Sequence, residues 1–190
     1  MEQNSLEQSH GWNIHSMNLT PISIDGAFGI SSPTKLDFRG SLTRLWDIDS
    51  PLCNFNLVQS SAVHNPTIGT LRGLHFQAEP FAENKVVECV SGRVFDVLLD
   101  LRVDSPTSGE HLTLEIGLGC DYLGIFVPAG CAHGYITLEA NSTLVYFMDK
   151  EFSPEHSSGI RWDDPSFEIL WPSAPTLISD RDANWPILTA

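Results

Sequence analysis

At 190 residues, 42% of them hydrophobic, the chain is long and apolar enough to build one full hydrophobic core. Its formal net charge of −14, with only 10 basic residues, argues against nucleic acid as a partner, because phosphate contacts need clustered lysine and arginine. No stretch approaches the roughly 20 apolar residues of a membrane helix, so no membrane association is expected.

Residues 1–16 are polar, with no basic start followed by an apolar run, and read as a flexible extension rather than an export signal. The remainder, 17–190, reads as one domain. Met17–Ile24 is expected as a first strand and Gly26–Thr34 as loop. Asp37-Phe38-Arg39-Gly40 is a turn that leads into Leu42–Ile48. From residue 55 onward, short apolar runs are split by Gly, Pro, Asn and Asp: Leu71–Gln77, Lys85–Val90, Val94–Leu101, His111–Leu118, Leu123–Val127, Gly134–Leu138 and Leu144–Met148. That spacing predicts an all-β sandwich or barrel. Pro165–Ala190, rich in proline and tryptophan, is expected to wrap the barrel as loop and short helix. The four cysteines, Cys53, Cys89, Cys120 and Cys131, form no CxxC pair and read as free buried thiols of a reducing cytoplasm.

Alternation supplies some geometry. Lys85, Val87 and Cys89 share a face, directed into the barrel. Asp96, Leu98 and Asp100 share one face of the next run, and Phe95, Val97, Leu99 and Leu101 the other. Ser91-Gly92 is a hairpin turn between the two runs. Strict alternation in Leu71–Gln77 sets Arg72 opposite His75, unless Gly73 marks a bulge that brings both to one side.

Pro128-x-Gly130-x-x-His133 resembles the second half of the signature of metal-binding cupins. The first half of that signature has two histidines one residue apart, and here it reads His75-Phe76-Gln77. Two imidazoles remain, His75 and His133, where zinc and non-haem iron usually take three protein ligands. A catalytic metal is therefore not expected. A lone histidine in a strand is more often a satisfied core residue than a catalyst, and Asp182 alone is an ordinary tail carboxylate. Asp96, Trp162, Asp163 and Asp164 read as residues that hold strands and loops together, and Cys131 as packing.

Leu71-Arg72-Gly73-Leu74-His75-Phe76-Gln77, Gly92-Arg93-Val94-Phe95-Asp96-Val97, Pro128-Ala129-Gly130-Cys131-Ala132-His133-Gly134 and Gly159-Ile160-Arg161-Trp162-Asp163-Asp164-Pro165 occur in this order. Together they resemble the cupin-fold epimerases of dTDP-4-keto-6-deoxy sugars, the dTDP-4-dehydrorhamnose 3,5-epimerase family, over about residues 17 to 188. The resemblance implies a cupin-type jelly-roll β-barrel, chemistry without a cofactor, a nucleotide-sugar substrate and a homodimer. It also implies roles. His75 removes a proton beside the C4 ketone, and Asp182 holds the imidazole in the right tautomer. Tyr146 returns a proton to the opposite face, and Lys85 steadies the enolate oxygen. His133 orients sugar or base, while Arg72, Gln77 and a neighbouring subunit's Arg39 serve the diphosphate.

The chain departs from the family pattern in several places. Ser61 or Ala62 stands where the family has an asparagine, Ser41-Leu42 replaces an aromatic pair, and Phe147 follows the tyrosine where lysine is common. Glu151-Phe152 replaces a second aromatic pair, and Leu123-Gly124 replaces polar residues before Pro128. These changes point to a related but different substrate, or to inversion at one carbon. A catalytically idle sugar-nucleotide-binding cupin and a metal-dependent cupin are the competing readings.

Overall fold

The protein is described by a computed structural model covering residues 17–46, 52 and 55–188. The expected extension, Cys53 and the end of the Leu42–Ile48 run lie outside the described residues. In chain order the strands are β1 (Asn18–Pro21), β2 (Phe28–Ser31), β3 (Thr34–Asp37), β4 (Gly40–Thr43), β5 (Gln59–Asn65), β6 (Thr70–Gln77) and β7 (Lys85–Ser91). They continue with β8 (Arg93–Asp100), β9 (His111–Gly117), β10 (Gly124–Val127), β11 (Cys131–Thr137), β12 (Ser142–Met148), β13 (Ser157–Gly159) and β14 (Leu177–Ile178). One short helix, α1 (Asp180–Ala183), follows.

One six-stranded sheet runs β1-β2-β10-β7-β12-β5. The other runs β13-β6-β11-β8-β9, with β14 added parallel to β6, and β3 and β4 form a separate hairpin. The alternation of apolar residues sorts the side chains into layers. Val87 and Cys89 of β7, Leu98 of β8, Ile125 of β10 and Leu144 of β12 are fully buried between the sheets. Val97 and Leu99 of β8 point the other way, with Leu74 and Ala132, and are covered by Ile160, Phe167, Ile169 and Trp171 of the tail. On the outer side of the first sheet, Ile30, Val86 and Phe147 are covered by Met17, Leu45, Trp46 and Phe55. The faces assigned to β7 and β8 from the sequence are therefore the observed ones.

Three elements differ from expectation. β2 lies within the stretch read as loop, because Gly29 gives no apolar signal yet must be glycine-sized: a Cβ there would stand 2.5 Å from the Tyr122 ring. β5 lacks an apolar period because Ser61 and Val63 of its inner face line a cavity instead of the core. β13 is only three residues long and pairs with the end of β6.

Between β6 and β11 the register slips, so that His133 pairs with His75 but Tyr135 with Arg72. Gly73 occupies the slip at φ 125°, and a Cβ on it would lie 2.5 Å from the Cα of Gly134. The bulge considered from the sequence is thus present, and Arg72 and His75 line the same cavity.

Glu88 on β7 is fully buried, and neither carboxyl oxygen has a hydrogen-bond partner. Burial pushes its carboxyl up to about 8. The unfolded chain releases this proton above its ordinary value, whereas the native state retains it until about pH 8. Stability should therefore fall as pH rises through that window. Glu88→Gln should remove the slope, read as melting temperatures at about pH 5 and about pH 8 that differ by several degrees less than in the parent protein.

Candidate active site

A cavity of about 280 Å³ opens between the two sheets. His75 and Arg72 of β6 and His133 of β11 reach it from one sheet; Lys85 of β7 and Tyr146 of β12 reach it from the other. Antiparallel pairing sets His133 directly opposite His75, and Tyr146 beside Val87.

Asp182 comes from the far end of the chain. β14 runs parallel to β6, pairing Leu177 with Thr70 and Ile178 with Leu71, and delivers α1 to the bulge. Ser179 caps the helix, its hydroxyl accepting from the Asp182 amide at 3.1 Å. Asp182 Oδ1 then lies 2.6 Å from His75 Nε2, and Oδ2 accepts from the Gly73 amide at 3.3 Å. Burial raises the Asp182 carboxyl, but the His75 hydrogen bond and charge, the Gly73 amide and Ser179 outweigh it and hold it below the usual carboxylate range. The neighbouring Asp180 is exposed and turned away from this pair.

His133 forms a second pair, deeper in the barrel, with Nε2 2.8 Å from Asp96 Oδ2 and both side chains buried. Asp96, read from the sequence as a strand-holding residue, instead serves this histidine. Its position on the face shared with Leu98 was legible from alternation. Lys85 Nζ contacts Glu83 Oε1 at 2.7 Å and donates to the His75 carbonyl at 3.4 Å. Among the described residues no group of three His, Cys, Asp or Glu side chains is arranged to hold a metal ion. Burial pushes the Cys131 thiol up to about 12, in keeping with a packing role.

Tyr146 stands edge-on to His133, ring centroids 6.2 Å apart at 70°. Burial raises its hydroxyl well above the ordinary tyrosine value, and the neighbouring Tyr135 and Asp96 push the same way. At neutral pH it is a protonated donor. Tyr135 is its hydrogen-bond partner, and Asn65 Nδ2 donates to Tyr135 at 3.2 Å. Arg72 Nε in turn donates to Asn65 Oδ1 at 2.9 Å. Asn65, Tyr135 and Glu83 carried no signal in the sequence, because each lies beyond the quoted motifs or reads as strand filler.

Two further expected site residues make contacts of their own within this chain. Gln77 touches the cavity, but its amide donates to the carbonyls of Phe81 and Glu151 and accepts from the Ser153 amide. It holds the loop after β12, which a nearby Gln–loop contact satisfies better than a ligand in a half-open cavity. Arg39 sits on the exposed β3–β4 hairpin, paired with Asp37 at 2.6 Å, and does not line this chain's cavity. Arg181, next to Asp182, does reach the cavity rim and stacks 4.8 Å over Trp185.

The barrel and the proton-handling side chains inside it are those of a cupin-type isomerase. The chain belongs to the dTDP-4-dehydrorhamnose 3,5-epimerase family, whose sequence model matches residues 21–190. It is 42% identical over 138 residues to a dTDP-4-dehydrorhamnose 3,5-epimerase of Sinorhizobium fredii, covering 72% of this chain and 70% of the relative. A dTDP-4-dehydrorhamnose 3-epimerase of Streptomyces niveus is 32% identical over 173 residues, covering 88% and 82%. The crystal structure of a dTDP-4-dehydrorhamnose 3,5-epimerase from Bacillus anthracis, with TDP and PPi bound, superposes with a TM-score of 0.83 at 32% identity, covering 91% of this chain and 100% of that one.

Asp182 ties the tail to the bulge, so Asp182→Asn should cost about 1–3 kcal/mol at neutral pH. Because its folded value is depressed, the contribution is present above the unfolded carboxylate value and lost as pH falls through the folded one. Urea titrations at neutral pH and at about pH 3 should therefore show the gap between variant and parent closing in acid.

Proposed function

We propose that the protein epimerises a dTDP-4-keto-6-deoxy sugar by proton transfer at the carbons flanking the C4 ketone. The observation that carries this reading is the placement of acid and base on opposite sheets: the His75–Asp182 pair on one wall of the cavity and the protonated Tyr146 on the other. Inversion requires that a proton leave one face of the sugar and arrive on the other. Asp182 accepts from His75 Nε2, which leaves Nδ1 as the basic ring nitrogen. His75 takes the α-proton, and the developing charge moves onto the ketone oxygen, where Lys85 stabilises it. Tyr146 delivers a proton to the opposite face. His133, held by Asp96, orients the sugar from below.

Arg72 faces the cavity with an exposed guanidinium and serves the diphosphate, and Gln77 supports this wall through the loop it holds. The protein acts in the cytoplasm as a homodimer, with the β3–β4 hairpin of one protomer bringing Arg39 to its partner's cavity. Leu36 and Phe38, 76% and 98% exposed on that hairpin, support such a contact.

Proton NMR of dTDP-4-keto-6-deoxyglucose with the protein in deuterated water tests the reading. Loss of the C3 and C5 proton signals, abolished in His75→Ala, is the expected result; loss at one position alone makes the protein a single-centre enzyme, like its Streptomyces niveus relative in name. Tyr146→Phe should retain part of the exchange while net inversion falls about 100-fold or more, the scale of a general-acid contribution. A folded protein that binds the intact substrate without exchange would show the idle-cupin reading to be the right one.

A further inference from the structure

Glu83 lies just before β7, and its side chain is only 5% exposed. Oε1 meets Lys85 Nζ, but Oε2 is buried with no hydrogen-bond partner. Leaving a carboxylate oxygen dry and unpaired is costly, and native structures rarely do so without a reason. Among the described residues three carboxyl groups have such oxygens: Glu83, Glu88 and Asp96. Glu88 faces the apolar layer outside the first sheet, and Asp96 is sealed behind His133. Glu83 alone among the three lines the cavity.

Lys85 has a complementary surplus. Its ammonium carries three N–H donors, and two are engaged, by Glu83 Oε1 and the His75 carbonyl. Side by side at the cavity wall, the pair therefore has one donor and one acceptor without a partner. An α-hydroxyketone presents the matching edge: a carbonyl oxygen that accepts, beside a hydroxyl that donates. In a 4-ketohexose the two flanks of the ketone differ in this respect. C3 bears a hydroxyl, whereas C5 bears the ring oxygen and the methyl carbon.

We propose that Glu83 Oε2 accepts a hydrogen bond from the C3 hydroxyl while Lys85 holds the C4 ketone oxygen, making Glu83 the residue that selects 4-keto sugars with a free donor at C3. This rests on the epimerase reading above. The contact fixes which flank of the ketone meets which wall. A 3-deoxy, 3-O-methyl or 3-O-acyl sugar leaves Oε2 unpaired and is rejected, whereas a 3-amino sugar retains a donor.

The test uses exchange at C5, a proton that the 3-deoxy substrate also has. C5 exchange in deuterated water is measured by NMR, as kcat/KM, for dTDP-4-keto-6-deoxyglucose and its 3-deoxy analogue, with the parent protein, Glu83→Ala and Glu83→Gln. The parent should prefer the hydroxylated sugar by about ten- to a hundred-fold, the scale of a hydrogen bond to a charged group. Glu83→Ala should bring the two substrates to near equality. Glu83→Gln keeps the shape and some hydrogen-bonding capacity, so it should retain part of the preference; it also carries the test if the alanine variant does not fold. If the variants lower exchange on both substrates by the same factor, Glu83 only positions Lys85 and the proposal is overturned. If the parent exchanges C3 alone, the same comparison is read at C3, where the 3-deoxy sugar also carries exchangeable protons; if it exchanges neither C3 nor C5 of either sugar, the epimerase reading falls and this inference falls with it.

Discussion

The slip in the β6–β11 ladder at Gly73 is the constraint on which the rest of the site depends. A regular strand would send Arg72 and His75 to opposite faces of the sheet. Here the positive φ of Gly73, pressed against Gly134, turns both into the cavity. The same slip directs the Gly73 amide at Asp182 Oδ2. One backbone irregularity thus positions the histidine and supplies an anchor for the carboxylate that orients it. Neither glycine tolerates a side chain, so the geometry is enforced by contact between two backbones and does not depend on a flexible group.

An acidic chain has turned several of its carboxylates inward. Asp182 and Asp96 each hold a histidine, Glu83 holds Lys85, and Asp100 binds Arg102 through both oxygens, with Ser105 and Thr107 beside it. In a low-dielectric interior such fixed hydrogen bonds are stronger than in water and require no rearrangement during a reaction. Asp100 is ballast for the loop that follows β8. The other three face the cavity or the histidines that line it, where they fix the orientation of His75, His133 and Lys85 but not of Arg72. That residue is held by the neutral Asn65, which leaves its positive charge uncompensated and available to an anion.

The two walls differ in chemistry as well as position. The His75 wall is partly open to solvent, its imidazole side chain 40% exposed beside the buried Asp182. On the other wall Tyr146 is half-buried, and desolvation keeps its phenol neutral. A partly open imidazole on one wall thus faces a protonated phenol on the other. Family membership and the geometry point to the same chemistry by independent routes. The relatives include both a 3,5-epimerase and a 3-epimerase, so the family leaves the number of inverted centres to the details of this cavity.

Much of this was legible in the sequence. Period-two alternation placed Lys85, Val87 and Cys89 on the inner face of β7 and separated the two faces of β8, because a pleated strand leaves a side chain no other choice. Turn residues marked most of the strands, and the motifs around His75, Asp96, His133 and Trp162 carried the resemblance to the family. What the sequence could not show is which distant groups meet. The pairing of Asp182 with His75 joins residues 107 apart and depends on β14 lying along β6. The pairing of His133 with Asp96 and the chain from Arg72 through Asn65 to Tyr135 depend on strand registers that no local pattern encodes. Glu83 and Gln77 make the same point in opposite directions: both touch the cavity, but only their hydrogen-bond partners reveal that the amide is fully satisfied and the carboxylate is not. Local periodicity and chemistry determined the strands and the candidate residues; the partners of each buried polar group, and hence its role, were decided only when the chain closed on itself and excluded water.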